Sequence, residues 1–119
     1  MKFKIIIGLI SYFVGFVFSL SHANEVNIFS ARHYASDVQL YEKFKNTTGI
    51  KVNVISGKSE ALEKRIIEEG SDSKADLYIT ADAGRLEVFS SKGMLQSGLN
   101  TSAIKAAVPN NFRTSKWTG

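Results

Sequence analysis

The sequence has 119 residues and no cysteine. A chain without thiols forms no disulfide and offers a metal only oxygen and nitrogen donors. Proline occurs once, at Pro109, and there is no internal repeat and no low-complexity tract. With 44% hydrophobic residues the composition is that of a globular chain, not a disordered one. Charge of one sign is also scarce. The formal net charge is +4, and two of the positive residues, Lys2 and Lys4, stand in a stretch that is expected to be removed, which leaves +2. That excess is too small to mark a nucleic-acid surface.

The front of the chain has what the rest lacks, a long charge-free apolar run. Met1-Lys2-Phe3-Lys4 is short and basic, Ile5 to Leu20 carries no charge, and Ser21-His22-Ala23 has the small-x-small pattern of a signal-peptidase site. Residues 1–23 therefore read as a secretory signal peptide cut before Asn24. The run is also close to the lower limit for a retained membrane anchor. Without a cysteine at the junction, lipid attachment there is excluded. The bacterial style of the signal makes the periplasm the expected destination.

Beyond the leader, apolar patterning alternates between strand and helix. Glu25–Ser30 reads as a strand, with Val26, Ile28 and Phe29 apolar on both faces. Ser36 and Gln39 have the spacing of a capping box, and Leu40, Tyr41, Phe44 and Thr48 recur at helical steps before Gly49. A second strand is expected over Ile50–Ile55. A second helix follows from Ser59, buried through Leu62, Ile66 and Ile67, with Lys64, Arg65, Glu68 and Glu69 facing water. Ala75–Thr80 reads as the third strand and Asp82 as the cap of a third helix, with Leu86 and Phe89 inward. Ser102–Val108 reads as a short helix, and Phe112 and Trp117 as apolar anchors of an irregular end. Gly57-Lys58-Ser59 is not a phosphate loop, because the upstream glycine that such a loop needs is missing.

Strand, helix, strand, helix, strand, helix is the α/β pattern of a three-stranded parallel βαβαβα unit. In the order 2-1-3 the chain reverses direction between the first and third strands, and ligands bind outside the carboxyl ends of strands at such a point. Those ends are Ser30–Tyr34 and Thr80–Gly84. They would set His33 and Tyr34 opposite Asp82, with two helix N-termini facing the same crevice. The segment Ser30-Ala31-Arg32-His33-Tyr34-Ala35 thus places a guanidinium, an imidazole and a phenol in one strand-to-helix loop. Taken alone, the His-Tyr pair also fits an ordinary turn. A catalytic reading, with His33 as a base, has only Asp82 to call on, and Asp82 reads first as a helix cap.

Two segments carry a resemblance across nearly all of the chain after the leader. They are Ser30-Ala31-Arg32-His33-Tyr34 and Thr80-Ala81-Asp82-Ala83-Gly84-Arg85-Leu86, with Gly93-Met94-Leu95-Gln96 and Val108-Pro109-Asn110-Asn111-Phe112-Arg113 at fitting intervals. Together they resemble the N-terminal part of periplasmic ferric-iron-binding proteins of ABC transporters, a branch of the type II solute-binding proteins. The resemblance implies a two-lobed, monomeric clamshell that closes on ferric iron, Fe(3+), and delivers it to an inner-membrane permease. It implies metal ligation by His33 and Tyr34, and Arg32 and Asp82 as contacts to the cleft or to a companion anion such as carbonate. Related members would bind another small anion instead. Fe(3+) is hard and prefers oxygen donors, and its charge favours the phenolate form of a tyrosine. One His and one Tyr fall short of the roughly six donors such an ion takes. Residues 24–119 are accordingly expected to be a partial N-terminal lobe, and the uncapped ending Lys116-Trp117-Thr118-Gly119 suggests an interrupted frame. Missing strands would leave an apolar edge and face bare, so marginal stability or aggregation is expected.

Overall fold

β1 (Glu25–Ser30) is the strand on which the other elements are arranged. The computed structural model describes residues 25–119, so the leader expected at 1–23 lies outside the described residues. β2 (Lys51–Ser56) and β3 (Leu77–Ile79) flank β1, both parallel to it, in the order β2-β1-β3. The register runs from Glu25 opposite Lys51 to Ser30 opposite Ser56, and from Ile28 opposite Leu77 to Ser30 opposite Ile79. Ile28, Phe29 and Ser30 are buried in succession, as a central strand covered on both faces requires. The expected 2-1-3 α/β unit is the observed one.

The two faces of the sheet are covered unequally. Phe29 points to the face that carries α2 (Ser59–Glu69) and α3 (Ala83–Ser91), and there it joins Leu62, Ile66 and Phe89 in one core. Tyr78, Met94 and Leu95 pack against that core, with the Tyr78 and Phe89 rings 5.4 Å apart. Ile28 and Ser30 point the other way, toward α1 (Ala35–Thr48). Here Val54 of β2 is 42% exposed and Leu77 of β3 is 49% exposed. Val38, Leu40 and Phe44 of α1 are exposed as well, so the face expected on that helix is not buried. Only Tyr41 is half-buried, because α1 reaches the sheet along one line of contact. Bare apolar surface of this kind promotes association. Sedimentation velocity should show mass rising with protein concentration, and the pair Val54→Thr and Leu77→Thr should shift the distribution toward monomer.

Local chemistry moves several expected boundaries. α1 begins at Ala35, with extended Tyr34 before it and no side-chain cap, so the Ser36-Gln39 box does not form. Gly49 closes the helix in the left-handed region (φ 73°), its N–H donating to the Lys45 carbonyl. Lys58, not Ser59, stands before α2, and the Ser59 hydroxyl lies 3.5 Å from that of Thr80. Ile67 is exposed, since the core takes only Leu62 and Ile66 from α2. Arg65 does not simply face water: its guanidinium lies 4.9 Å from the Phe29 ring centroid. β3 is shorter than expected because the Asp76 carboxylate, not a ladder carbonyl, accepts the Asn27 N–H at 2.8 Å. α4 (Ser102–Ala107) is capped by the Thr101 hydroxyl. Trp117 anchors the end through a hydrogen bond from Nε1 to Glu87, whereas Phe112 is exposed.

A polar network ties β3 to both helices on the core side. The Tyr78 hydroxyl donates to Glu63 at 2.7 Å, and Arg85 of α3 donates to Glu63 and to Glu60 of α2. Burial, then the hydrogen bond to Glu63, raise the Tyr78 phenol above its ordinary pKa of 10.0. The folded state therefore keeps this proton to higher pH than the unfolded chain does. The stability it contributes is complete below about pH 10 and is lost as pH rises through the raised value. Thermal midpoints recorded from about pH 9 to 12 should fall above pH 10, and Tyr78→Phe should flatten that fall.

Candidate metal-binding loop

The loop after β1 starts where the carboxyl ends of all three strands meet. Gly57 N–H donates to the Ser30 carbonyl at 3.1 Å, and Ala31 N–H to the Ile79 carbonyl at 2.8 Å. The buried Ser30 hydroxyl then holds the next turn from both sides. It donates to the Arg32 carbonyl (2.8 Å) and accepts from the Arg32 N–H (3.2 Å). The loop leaves the sheet in one fixed direction.

Arg32 meets a partner that the sequence reading missed. Its Nε donates to Asp37 Oδ2 at 3.0 Å and its Nη2 to Asp37 Oδ1 at 2.8 Å, a two-point fork. Asp37 stands in the first turn of α1 and is 7% exposed. The hydrogen bond to this carboxylate raises the pKa of Arg32 further above its already high ordinary value. The Arg32 guanidinium carbon also sits 5.5 Å from the Tyr34 ring centroid, within cation–π range. Arg32 is thus not wholly free for an anion, since Nε and Nη2 are both on Asp37. The signal for this pair was an acid five residues after an arginine at a loop-to-helix junction.

His33 is exposed and Tyr34 is 60% exposed. Among the described residues, no hydrogen bond involves either ring's polar atoms. Both line a groove of about 650 Å³ that runs between α1 and β2 over Tyr41, Val52 and Val54. The Tyr41 hydroxyl is buried there with no partner among the described residues. Asp82 is elsewhere. Its Oδ1 accepts the Gly84 N–H at 2.8 Å as the N-cap of α3, in keeping with its reading as a cap. The tips of β1 and β3 are neighbours, joined by the Ala31 N–H bond to the Ile79 carbonyl, and Asp82 follows β3, while the groove lined by His33 and Tyr34 extends along β2. Among the described residues, no three of His, Asp and Glu converge as a metal cage. The loop can offer a metal one imidazole and one phenol.

Residues 33–115 match the family model described as bacterial extracellular solute-binding protein. The chain belongs to this family. Among other members, it is 41% identical over 90 residues to iron uptake protein A1 of Synechocystis, a match covering 76% of this chain and 25% of that protein. In structure it is similar to the Trichodesmium protein IdiA (FutA) in complex with iron and citrate, with a TM-score of 0.75 and 41% identity over 80% of this chain and 30% of that one. The ferric-binding protein of Campylobacter jejuni gives a TM-score of 0.71 and 40% identity over 76% of this chain and 28% of that one. The chain spans about a quarter of the length of the curated relatives it matches. As a solute-binding protein it has the architecture of the N-terminal part of a type II lobe.

Proposed function

We propose that this solute-binding chain serves periplasmic uptake of ferric iron by an ABC importer, with His33 and Tyr34 as two of the metal's ligands. The observation that carries the reading is the pair's placement. An imidazole and a phenol stand side by side, facing solvent, on a loop braced by Ser30 and Asp37 at the tip of the central strand. Relatives named for iron uptake and ferric-iron binding support the choice of metal. A phenol becomes a strong hard donor once Fe(3+) displaces its proton, and binding then releases that proton. The remaining donors would come from water, from a companion anion such as carbonate or citrate, and from further chain like that of the longer relatives. Residues 1–23 act in this reading as the export signal and 24–119 as part of the N-terminal lobe. The cargo passes to an inner-membrane permease, and the role is binding and delivery rather than catalysis.

A second reading, a small anion as solute, is favoured by one observation: α1 and α2 both begin without a side-chain cap at the carboxyl end of the sheet. Titration separates the two. Ferric nitrilotriacetate added to the purified chain should produce a visible phenolate-to-iron absorption band. Calorimetric heat with phosphate or sulfate and no such band with iron would favour the anion.

A further inference from the structure

We infer that Asp37 is a positioning residue for Tyr34 and acts through Arg32. The inference rests on the reading of Tyr34 as a ligand. Asp37 is a carboxylate in a nearly closed position, and both of its oxygens accept from Arg32 at 3.0 and 2.8 Å. The fork fixes the guanidinium plane in a way a single contact does not. The backbone of Arg32 is held as well, its N–H and carbonyl both bonded to the buried Ser30 hydroxyl. An arginine fixed at both ends then presents its cation 5.5 Å from the Tyr34 ring centroid. Among the described residues it is the one polar or cation–π contact of an aromatic side chain that is 60% exposed.

The pair is better explained by orientation than by stability. The helix dipole favours an acid in this turn but does not call for a two-point fork, and with the Arg32 side chain 33% exposed the ion pair itself contributes little to stability. What the fork supplies is a Tyr34 ring ordered before a metal arrives. A ligand held in its bound place loses less side-chain entropy on binding. A hard ion that takes several donors at once needs that order most at its solvent-facing donor.

The test compares Asp37→Asn, Arg32→Met and the double substitution in the full chain, by aromatic NMR without metal and then by ferric nitrilotriacetate titration. The Tyr34 ring signals, assigned by their absence in Tyr34→Phe, should collapse to random-coil positions in each variant. Ferric affinity should fall roughly tenfold in each, and the double variant should lose no more than either alone. Asp37→Glu, which keeps a forked acceptor, should recover most of the ring's order. Should Asp37→Asn fail to fold, Arg32→Lys takes its place, since it keeps the charge but not the fork. Tyr34 signals that stay put in Arg32→Lys or Arg32→Met, or losses that add in the double variant, overturn the inference. If the ring signals respond as expected but Tyr34→Phe binds ferric iron as the parent does, the positioning role stands and the iron reading falls.

Discussion

Phe29→Ala is expected to leave the chain unfolded at room temperature. Phe29 is 1% exposed near the carboxyl end of β1 and packs against Leu62 and Ile66 of α2 and Phe89 of α3. Truncating a buried phenylalanine to alanine costs about 3–5 kcal/mol through lost burial and the cavity left behind. A small domain has only about 5 kcal/mol of stability in total. Among the described residues no second core is in reserve, because the opposite face of the sheet leaves Val54 and Leu77 largely in solvent. The Arg65 guanidinium that lies over the ring would lose its partner too. Circular dichroism in water should show the helical signal lost in Phe29→Ala, or retained only with a much lower urea midpoint. Val38→Ala, at an exposed position of α1, serves as the control and should change the unfolding free energy by no more than about 0.5 kcal/mol.

The contrast between those two sites marks what the sequence could and could not disclose. Phe29, Leu62, Ile66, Leu86 and Phe89 were readable as core because each lies in an element whose period agrees with its burial. The parallel order followed from alternation of strand and helix, and the glycine stop at Gly49 from its need for a left-handed residue. Leu40, Phe44 and Ile67 carried the same periodic signal and were misplaced. Periodicity tells which side of a helix is apolar, but not whether anything stands opposite it. For α1 little does, which fits a chain that spans a quarter of its relatives' length.

The loop was legible in its residue types and not in its partnerships. His33 and Tyr34 could be singled out as candidates because an imidazole and a phenol adjacent at a strand tip are both possible metal donors. Asp37 could not, since an acid in the first turn of a helix already has a sufficient reason in the helix dipole. Its pairing with Arg32 depends on how Ser30 turns the chain, and that turn is a matter of two hydrogen bonds about one hydroxyl. Capping boxes failed in a similar way. The Ser36-Gln39 spacing was present, but α1 starts at Ala35, so Ser36 already lies inside the helix.

Tyr34→Phe should abolish the visible band formed with ferric iron and lower iron affinity by about a hundredfold or more. Loss of a group that only orients a metal ligand costs roughly 10–100-fold, and the donor oxygen itself should matter at least as much. The substitution is sharp because it removes one oxygen and keeps the ring. The contact between the ring face and Arg32 survives, as does the fork between Arg32 and Asp37, so positioning is left intact while ligation is lost. The share of proton release that comes from this phenol should be lost with it. In the parent, iron affinity should climb with pH because a phenol gives up its proton on binding, and in Tyr34→Phe that climb should be shallower. His33→Ala should cost less, since a neutral imidazole is a softer donor than a phenolate for Fe(3+), and it should leave the visible band in place with reduced intensity. A Tyr34→Phe chain that still turns coloured on adding ferric nitrilotriacetate would assign the band to another tyrosine. Tyr41 is then the one to examine, because its hydroxyl lies buried and unpartnered among the described residues of the same groove.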